Sequence, residues 1–219
     1  KSLTFAGPSS TNKRGISYTI DAATDAATDT LTFVDGGSIT HAAFNTWNVV
    51  SQRINNNIIM QGDLTISNNW SSANVSNFNI YGTITGSGTL TLDATYKPDG
   101  GAATGRLHLR GNSSATFTGN IVINGGQVTL YTGSLGDTTG ITTLNRGSIM
   151  GSTAENITVT GILGTARCTY ESYGGDQTYS GTTTLVGGAT IELNPGGNAL
   201  STGKNSTGTG IAGDGNVLA

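Results

Sequence analysis

Apolar residues recur along this chain in short alternating runs that open on glycine. The pattern Gly-x-aliphatic, usually continued to x-aliphatic, begins at Gly37, Gly62, Gly88, Gly105, Gly126, Gly147, Gly164, Gly188 (where the aliphatics come one residue late) and Gly215. From Gly37 to Gly215 is 178 residues in eight steps, a mean near 22 with steps from 17 to 27. Period-two alternation puts the aliphatics on one face of a strand and Thr, Ser, Asn, Gln or His on the other. Short strands separated by bends at a repeating interval predict stacked units, each of which buries its apolar face only against its neighbours. The expected fold is an all-β solenoid of about 22 residues per turn.

The fullest unit occupies residues 115–130. It is expected to form two β runs, 117–123 and 127–130, around Gly125-Gly126, because glycine takes positive φ at little steric cost. Residues 177–193 repeat its order: aromatic, hydroxyl, Gly, aliphatic, Gly-Gly, alternating aliphatics. Residues 37–219 are expected to carry the repeats, and 1–36 to form irregular N-terminal turns or a cap, with strands at Leu3-Phe5, Ile16-Tyr18-Ile20 and Leu31-Phe33. The two regions make one continuous domain. Asn55-Asn56-Asn57 predicts a bend, since Asn tolerates left-handed backbone. Pro98-Asp99-Gly100-Gly101 predicts the tip of a protruding loop.

Composition narrows the function classes. Gly, Thr, Ser and Asn make up about half of the 219 residues, and 11% are charged. Disorder usually comes with high net charge and no apolar periodicity; here the net charge is −3 and the periodicity is plain. The ten Lys and Arg are scattered apart from Lys13-Arg14, which argues against nucleic acid. No apolar run approaches the roughly 18 to 20 residues of a membrane-spanning helix. The sequence opens at Lys1 without a secretory leader pattern, so a mature product or a fragment of a longer polypeptide is expected. With one cysteine, Cys168, an intrachain disulfide is ruled out.

Thr116-Phe117-Thr118-Gly119 through Leu130, and Thr178-Tyr179-Ser180-Gly181 through Leu193, resemble the autotransporter-associated β-strand repeat of bacterial surface proteins. Ser134-Leu135-Gly136 and Asn198-Ala199-Leu200 resemble the ends of such units, and residues 82–92 are similar to a segment that commonly accompanies them. The likeness covers roughly residues 54–201. Where the family often has Asn two residues before the aromatic, this chain has Ala115 and Gln177. The resemblance implies a right-handed parallel β-helix that forms a secreted passenger displayed at the bacterial outer membrane, anchored through a barrel or other element outside these residues. It brings no catalytic residues.

Candidate chemistry is sparse. Glycoside hydrolysis needs two carboxylates across the bond, whereas Asp63, Asp93, Asp137, Glu155, Glu171, Asp176 and Glu192 stand far apart in sequence. Asp21, Asp25 and Asp29 form the one local acidic run, expected to be a solvated loop. His41 and His108 are too few for a metal signature, and His108, between Leu107 and Leu109, is expected to face solvent. Cys168, in phase with Ala166, is expected to be a buried, inert thiol. Trp47, Trp70, Tyr96, Tyr131, Tyr170, Tyr173 and Tyr179 could stack on sugars, although packing is the commoner role.

No catalytic residue, metal or cofactor is therefore assigned. The expected function is a non-enzymatic stalk, adhesive scaffold or surface layer. Its expected partners are surface glycans, receptors on host or neighbouring cells, or further copies of itself. The alternative is a polysaccharide-binding or polysaccharide-cleaving β-helix, tailspike-like modules included.

Overall fold

The computed structural model of the protein describes residues 2–5, 19–21, 29–41, 50–69, 76–94, 105–113, 115–130, 136–137, 139–150, 156–160, 168–171, 177–179, 183–187, 189–194, 206–208, 211–213 and 216–218. Among them there is no helix, and every strand pairing is parallel. A parallel pair cannot be joined by a tight hairpin and needs a long crossover. Here the crossover is itself made of strands. The chain runs through a first sheet, a second and, in some passes, a further short one, then returns to the first one strand further on.

The first three passes are β1 (Ser2–Phe5), β2 (Thr19–Ile20), β3 (Thr30–Phe33); β4 (Gly37–His41), β5 (Val50–Ile54), β6 (Asn57–Met60); and β7 (Leu64–Asn68), β8 (Ser76–Ile80), β9 (Ile84–Thr85). The fourth is β10 (Leu90–Ala94) and β11 (Gly105–Leu109), closed by a bridge from Phe117 to Gly86 of the pass before. Then follow β12 (Ile121–Ile123) with β13 (Gln127–Leu130), β14 (Ile141–Leu144) with β15 (Ser148–Met150), and β16 (Asn156–Val159), β17 (Cys168–Glu171), β18 (Gln177–Tyr179). The last are β19 (Thr183–Leu185), β20 (Thr190–Asn194), β21 (Ser206–Gly208), and β22 (Ile211–Gly213) with β23 (Asn216–Leu218). The first and second sheets each hold nine strands; β3, β6 and β9 form a third and β18 pairs with β21.

Register turns the alternation of each strand into columns across the sheet. In the first sheet Leu3, Ile39, Ile66, Leu92, Ile123, Leu144, Val159 and Leu185 stand in one file, and from Ile39 onward each is at most 2% exposed. The second sheet aligns Phe78, Leu107, Val128 and Ile149, all fully buried. Fully burying one such side chain contributes on the order of 1.5–3 kcal/mol, so the files form the core. The opposite face of the first sheet aligns Ser2, Ser38, Thr65, Thr91, Val122, Thr143, Thr158 and Thr184. β-branched hydroxyl residues suit an extended strand with one wet face, which accounts for much of the Thr and Ser.

The register revises the expected period. From Ser2 to Ala212 the first sheet takes eight steps over 210 residues, a mean of about 26, with single steps of 15 (Thr143 to Thr158) to 36 (Ser2 to Ser38). The shorter expectation arises because one glycine series spans two sheets. Gly37 opens β4, and Gly62 and Gly88 precede β7 and β10 of the first sheet, whereas Gly105 opens β11 of the second. The interval from Gly88 to Gly105 therefore lies within a single pass.

Residues 115–130 also divide further than expected. Phe117 reaches the third-sheet position, Ile121–Ile123 the first sheet and Gln127–Leu130 the second, so the motif draws both corners around the first sheet. Gly126 takes φ 74° between the last two. Residues 1–36 supply β1, β2 and β3, which extend the same sheets. The bend at Asn55 and Asn56 is made without positive φ, which no described non-Gly residue adopts. The Pro98-Asp99-Gly100-Gly101 loop lies outside the described residues.

At the corners, passes approach as closely as paired strands do. A Cβ on Gly88 would overlap the carbonyl oxygen of Gly62, one on Gly119 that of Gly88, and one on Gly140 that of Gly119. Side chains beside these glycines tie the same passes together. The Asp35 carboxylate accepts from the Asp63 amide (2.8 Å), Asp63 accepts from the Thr89 amide (2.7 Å), and Asn120 Oδ1 accepts from the Ile141 amide (3.1 Å). At other corners Asn57 Oδ1 accepts from the Thr83 amide (2.9 Å), and Asn145 Nδ2 donates to Asn124 Oδ1 (2.9 Å). Gly119→Ala is expected to destabilise the protein by about 1–3 kcal/mol through forced separation of passes. Urea denaturation measures this, and an unchanged midpoint would contradict the close stacking.

Candidate functional site: an arginine and tyrosine row on the second sheet

The residues singled out in the sequence fall in separate places. Asp63 is occupied as an acceptor of the Thr89 amide. Asp93 lies on β10, in register with Ser67, and the Asp137 carboxylate closes a local turn onto the Thr139 amide (3.0 Å) and hydroxyl (2.7 Å). Those hydrogen bonds hold Asp137 below the usual carboxylate range. Glu171 and Glu192 lie on β17 and β20 but pair with Asn194 and Thr169 rather than with each other. Asp21 Oδ1 accepts from Asn55 Nδ2 (3.0 Å) and the Asp29 backbone carbonyl accepts from Asn56 Nδ2 (3.3 Å). These two ends of the acidic run thus serve as ties to the next pass.

Cys168 opens β17 in register with Ile191, and Tyr170 and Tyr179 lie on β17 and β18. Asp25, Trp47, Trp70, Tyr96, Tyr131, Glu155, Tyr173 and Asp176 lie outside the described residues. Among the described residues no three of His, Cys, Asp and Glu gather closely enough to hold a metal ion.

A cluster absent from the sequence-based expectations forms where strands of the second sheet end. Tyr81 follows β8 and Arg110 follows β11; their amides donate to the carbonyls of Ile54 (2.8 Å) and Ile80 (2.8 Å), which fixes both on the ladder. Arg53 lies on β5, one pass before Tyr81. Its guanidinium carbon sits 4.5 Å from the Tyr81 ring centroid, and that of Arg110, one pass after, sits 5.0 Å away. Arg53 Nη2 also donates to the Tyr81 hydroxyl at 3.2 Å. Asn79 Oδ1 accepts from Arg110 Nε (3.1 Å), while Asn79 Nδ2 donates to Ser51 Oγ (2.9 Å). Tyr81 is 38% exposed and Arg53 is exposed. The signal in the sequence was spacing: 53, 81 and 110 are 28 and 29 residues apart, close to one pass.

No protein-family model, curated protein or solved structure matches the chain. Guanidinium groups on an aromatic ring contribute roughly 0.5–1 kcal/mol each at exposed sites, and here they link three consecutive passes. The same groups present hydrogen-bond donors and positive charge at the surface.

His108 corrects the expectation of a solvent-facing side chain. It is 7% exposed, and β13 beside it is buried on both faces. Strict alternation gives a polar, wet face only where that face is uncovered. Burial, with the nearby charges of Arg110 and Arg106, lowers the His108 pKa from 6.5 to about 4. His41 is also buried, its Nδ1 2.9 Å from Asn68 Oδ1, and burial outweighs that bond in lowering its pKa.

Two outcomes follow from these contacts. Between pH 6.5 and about 4 the unfolded chain takes up a proton at residue 108 that the folded protein excludes. The stability from neutral His108 is thus complete above pH 6.5 and lost as pH falls toward 4, by up to about 3 kcal/mol. Urea denaturation of the protein and His108→Gln at pH 7 and pH 4.5 isolates the effect, and equal losses in both would contradict it. Tyr81→Ala should cost about 1–2 kcal/mol by removing both ring contacts, and Tyr81→Phe less than 1 kcal/mol, read from the same curves.

Proposed function

We propose that this chain is a segment of a right-handed, closed parallel β-helix that serves as a secreted or cell-surface stalk or adhesive scaffold, with no catalytic role. In this reading it belongs to a larger autotransporter-like surface protein and is held to the outer membrane through a barrel or other anchor elsewhere in that protein. Nine passes at about 4.8 Å each make a rod on the order of 40 Å long. The observation that carries the reading is the fixed cycle of the chain through its parallel sheets, with residues in file from pass to pass.

Further support comes from how polar chemistry is spent. Asp35, Asp63, Asn57, Asn120, Asn124 and Asn145 hold amides of adjoining passes or are held by them. Hydrolysis of a glycosidic bond requires two carboxyl groups facing each other across a space large enough for the sugar. Asp35 and Asp63 instead stack along the corner as successive caps.

The test is to incubate the purified chain with a panel of neutral and acidic polysaccharides and follow polymer length and new reducing ends. Unchanged polymers are expected. Chain cleavage that survives repurification would overturn the non-enzymatic reading.

A further inference from the structure

We propose that the row of Arg53, Tyr81 and Arg110 on the second sheet is a binding site for an acidic polysaccharide, a linear sugar polymer carrying carboxylate or sulfate groups. The inference deepens the adhesive-scaffold reading and rests on it, because it names the partner that such a scaffold would hold.

The donors needed for an anion are present and positioned. Arg53 is exposed, and among the described residues its guanidinium gives one hydrogen bond, to the Tyr81 hydroxyl. A guanidinium fork with further N–H groups to give can receive a carboxylate or sulfate in two parallel bonds. Arg110 is oriented through its Nε on Asn79, and Asn79 is in turn held by Ser51 Oγ and the Gln52 carbonyl (3.2 Å). Side chains fixed beforehand lose less entropy on binding. Arg53 and Arg110 lie two passes apart, about 10 Å along the stacking direction, which suits anionic groups on alternate units of an extended chain.

Neighbouring groups favour sugar over other polyanions. The Tyr81 hydroxyl accepts from Arg53 and keeps its own proton to donate. Asn55 uses its amide nitrogen on Asp21, and its amide oxygen has no partner among the described residues. Donors and acceptors side by side match the hydroxyl groups of a saccharide. A single-stranded nucleic acid would need an open aromatic face for its bases, whereas guanidinium groups from the passes on either side already pack on the Tyr81 ring. The net charge of −3 also disfavours indiscriminate attraction of polyanions.

The experiment is surface plasmon resonance on the immobilised 219-residue chain, with polygalacturonate, chondroitin sulfate, neutral dextran and polyuridylate as probes. Binding is expected for polygalacturonate or chondroitin sulfate, weakening as salt rises. Dextran and polyuridylate should bind at least tenfold more weakly. Arg53→Gln should reduce binding about tenfold or more, and Arg53→Lys, which keeps the charge but loses the fork, several-fold; both variants should retain the far-ultraviolet circular dichroism of the parent.

Failure of both acidic polysaccharides to bind would overturn the proposal, as would full binding by a folded Arg53→Gln variant or equal binding of polyuridylate. Such results would leave the non-enzymatic scaffold reading standing. That reading fails separately, on cleavage of the polymers.

Discussion

The structure depends on the parallel backbone ladder, which sets successive passes about 4.8 Å apart. At that spacing every residue that points along the stacking direction meets the pass before or after it. Corners then admit only two solutions: no side chain, as at Gly88 and Gly119, or a side chain that bonds to the neighbouring backbone, as at Asp63 and Asn120. The abundance of Gly, Asn, Ser and Thr follows from this geometry. So does the low charge, because a like-charged file repeated at strand spacing would repel itself.

The same ladder decides what polar side chains mean. In the first sheet, hydroxyl residues lie opposite the aliphatic file and stay partly wet, while in the second sheet both faces of β13 are buried, as is His108 on β11 beside it. His108 is thereby desolvated beside two arginines. His41 and Asn68 stand in register within the interior, and Asn68 Nδ2 donates to the Arg106 carbonyl at 3.0 Å. This joins the first sheet of one pass to the second sheet of the next. Arg53, Tyr81 and Arg110 make the corresponding link outside, where their chemistry is also available to a partner.

Strand phase was legible in the sequence wherever alternation was clean: Leu64-x-Ile66, Leu90-x-Leu92 and Leu107-x-Leu109 are inward and buried. The all-β class and the repetition followed from the same signal. The pass length did not, because a Gly-x-aliphatic opening marks entry to either sheet, and nothing in Gly88 or Gly105 says which. Nor did alternation foresee His108, since it reports which face a side chain occupies and not whether that face is covered. The candidate row escaped notice because its members are remote in sequence. Only the strand pairs, offset by 26 residues between β5 and β8 and by 29 between β8 and β11, bring Arg53, Tyr81 and Arg110 together.

Passes stack in register at strand spacing over the length of the first sheet. Ser38 and Thr158 are 120 residues apart in sequence and five steps apart in that sheet. Spin labels at these two positions, in a Cys168→Ser background, report their separation by pulsed electron resonance. A narrow distribution centred near 24 Å is predicted from about 4.8 Å per step, whereas a broad distribution, or one centred beyond about 35 Å, would contradict the stacking from which the corners, the core and the candidate site all derive.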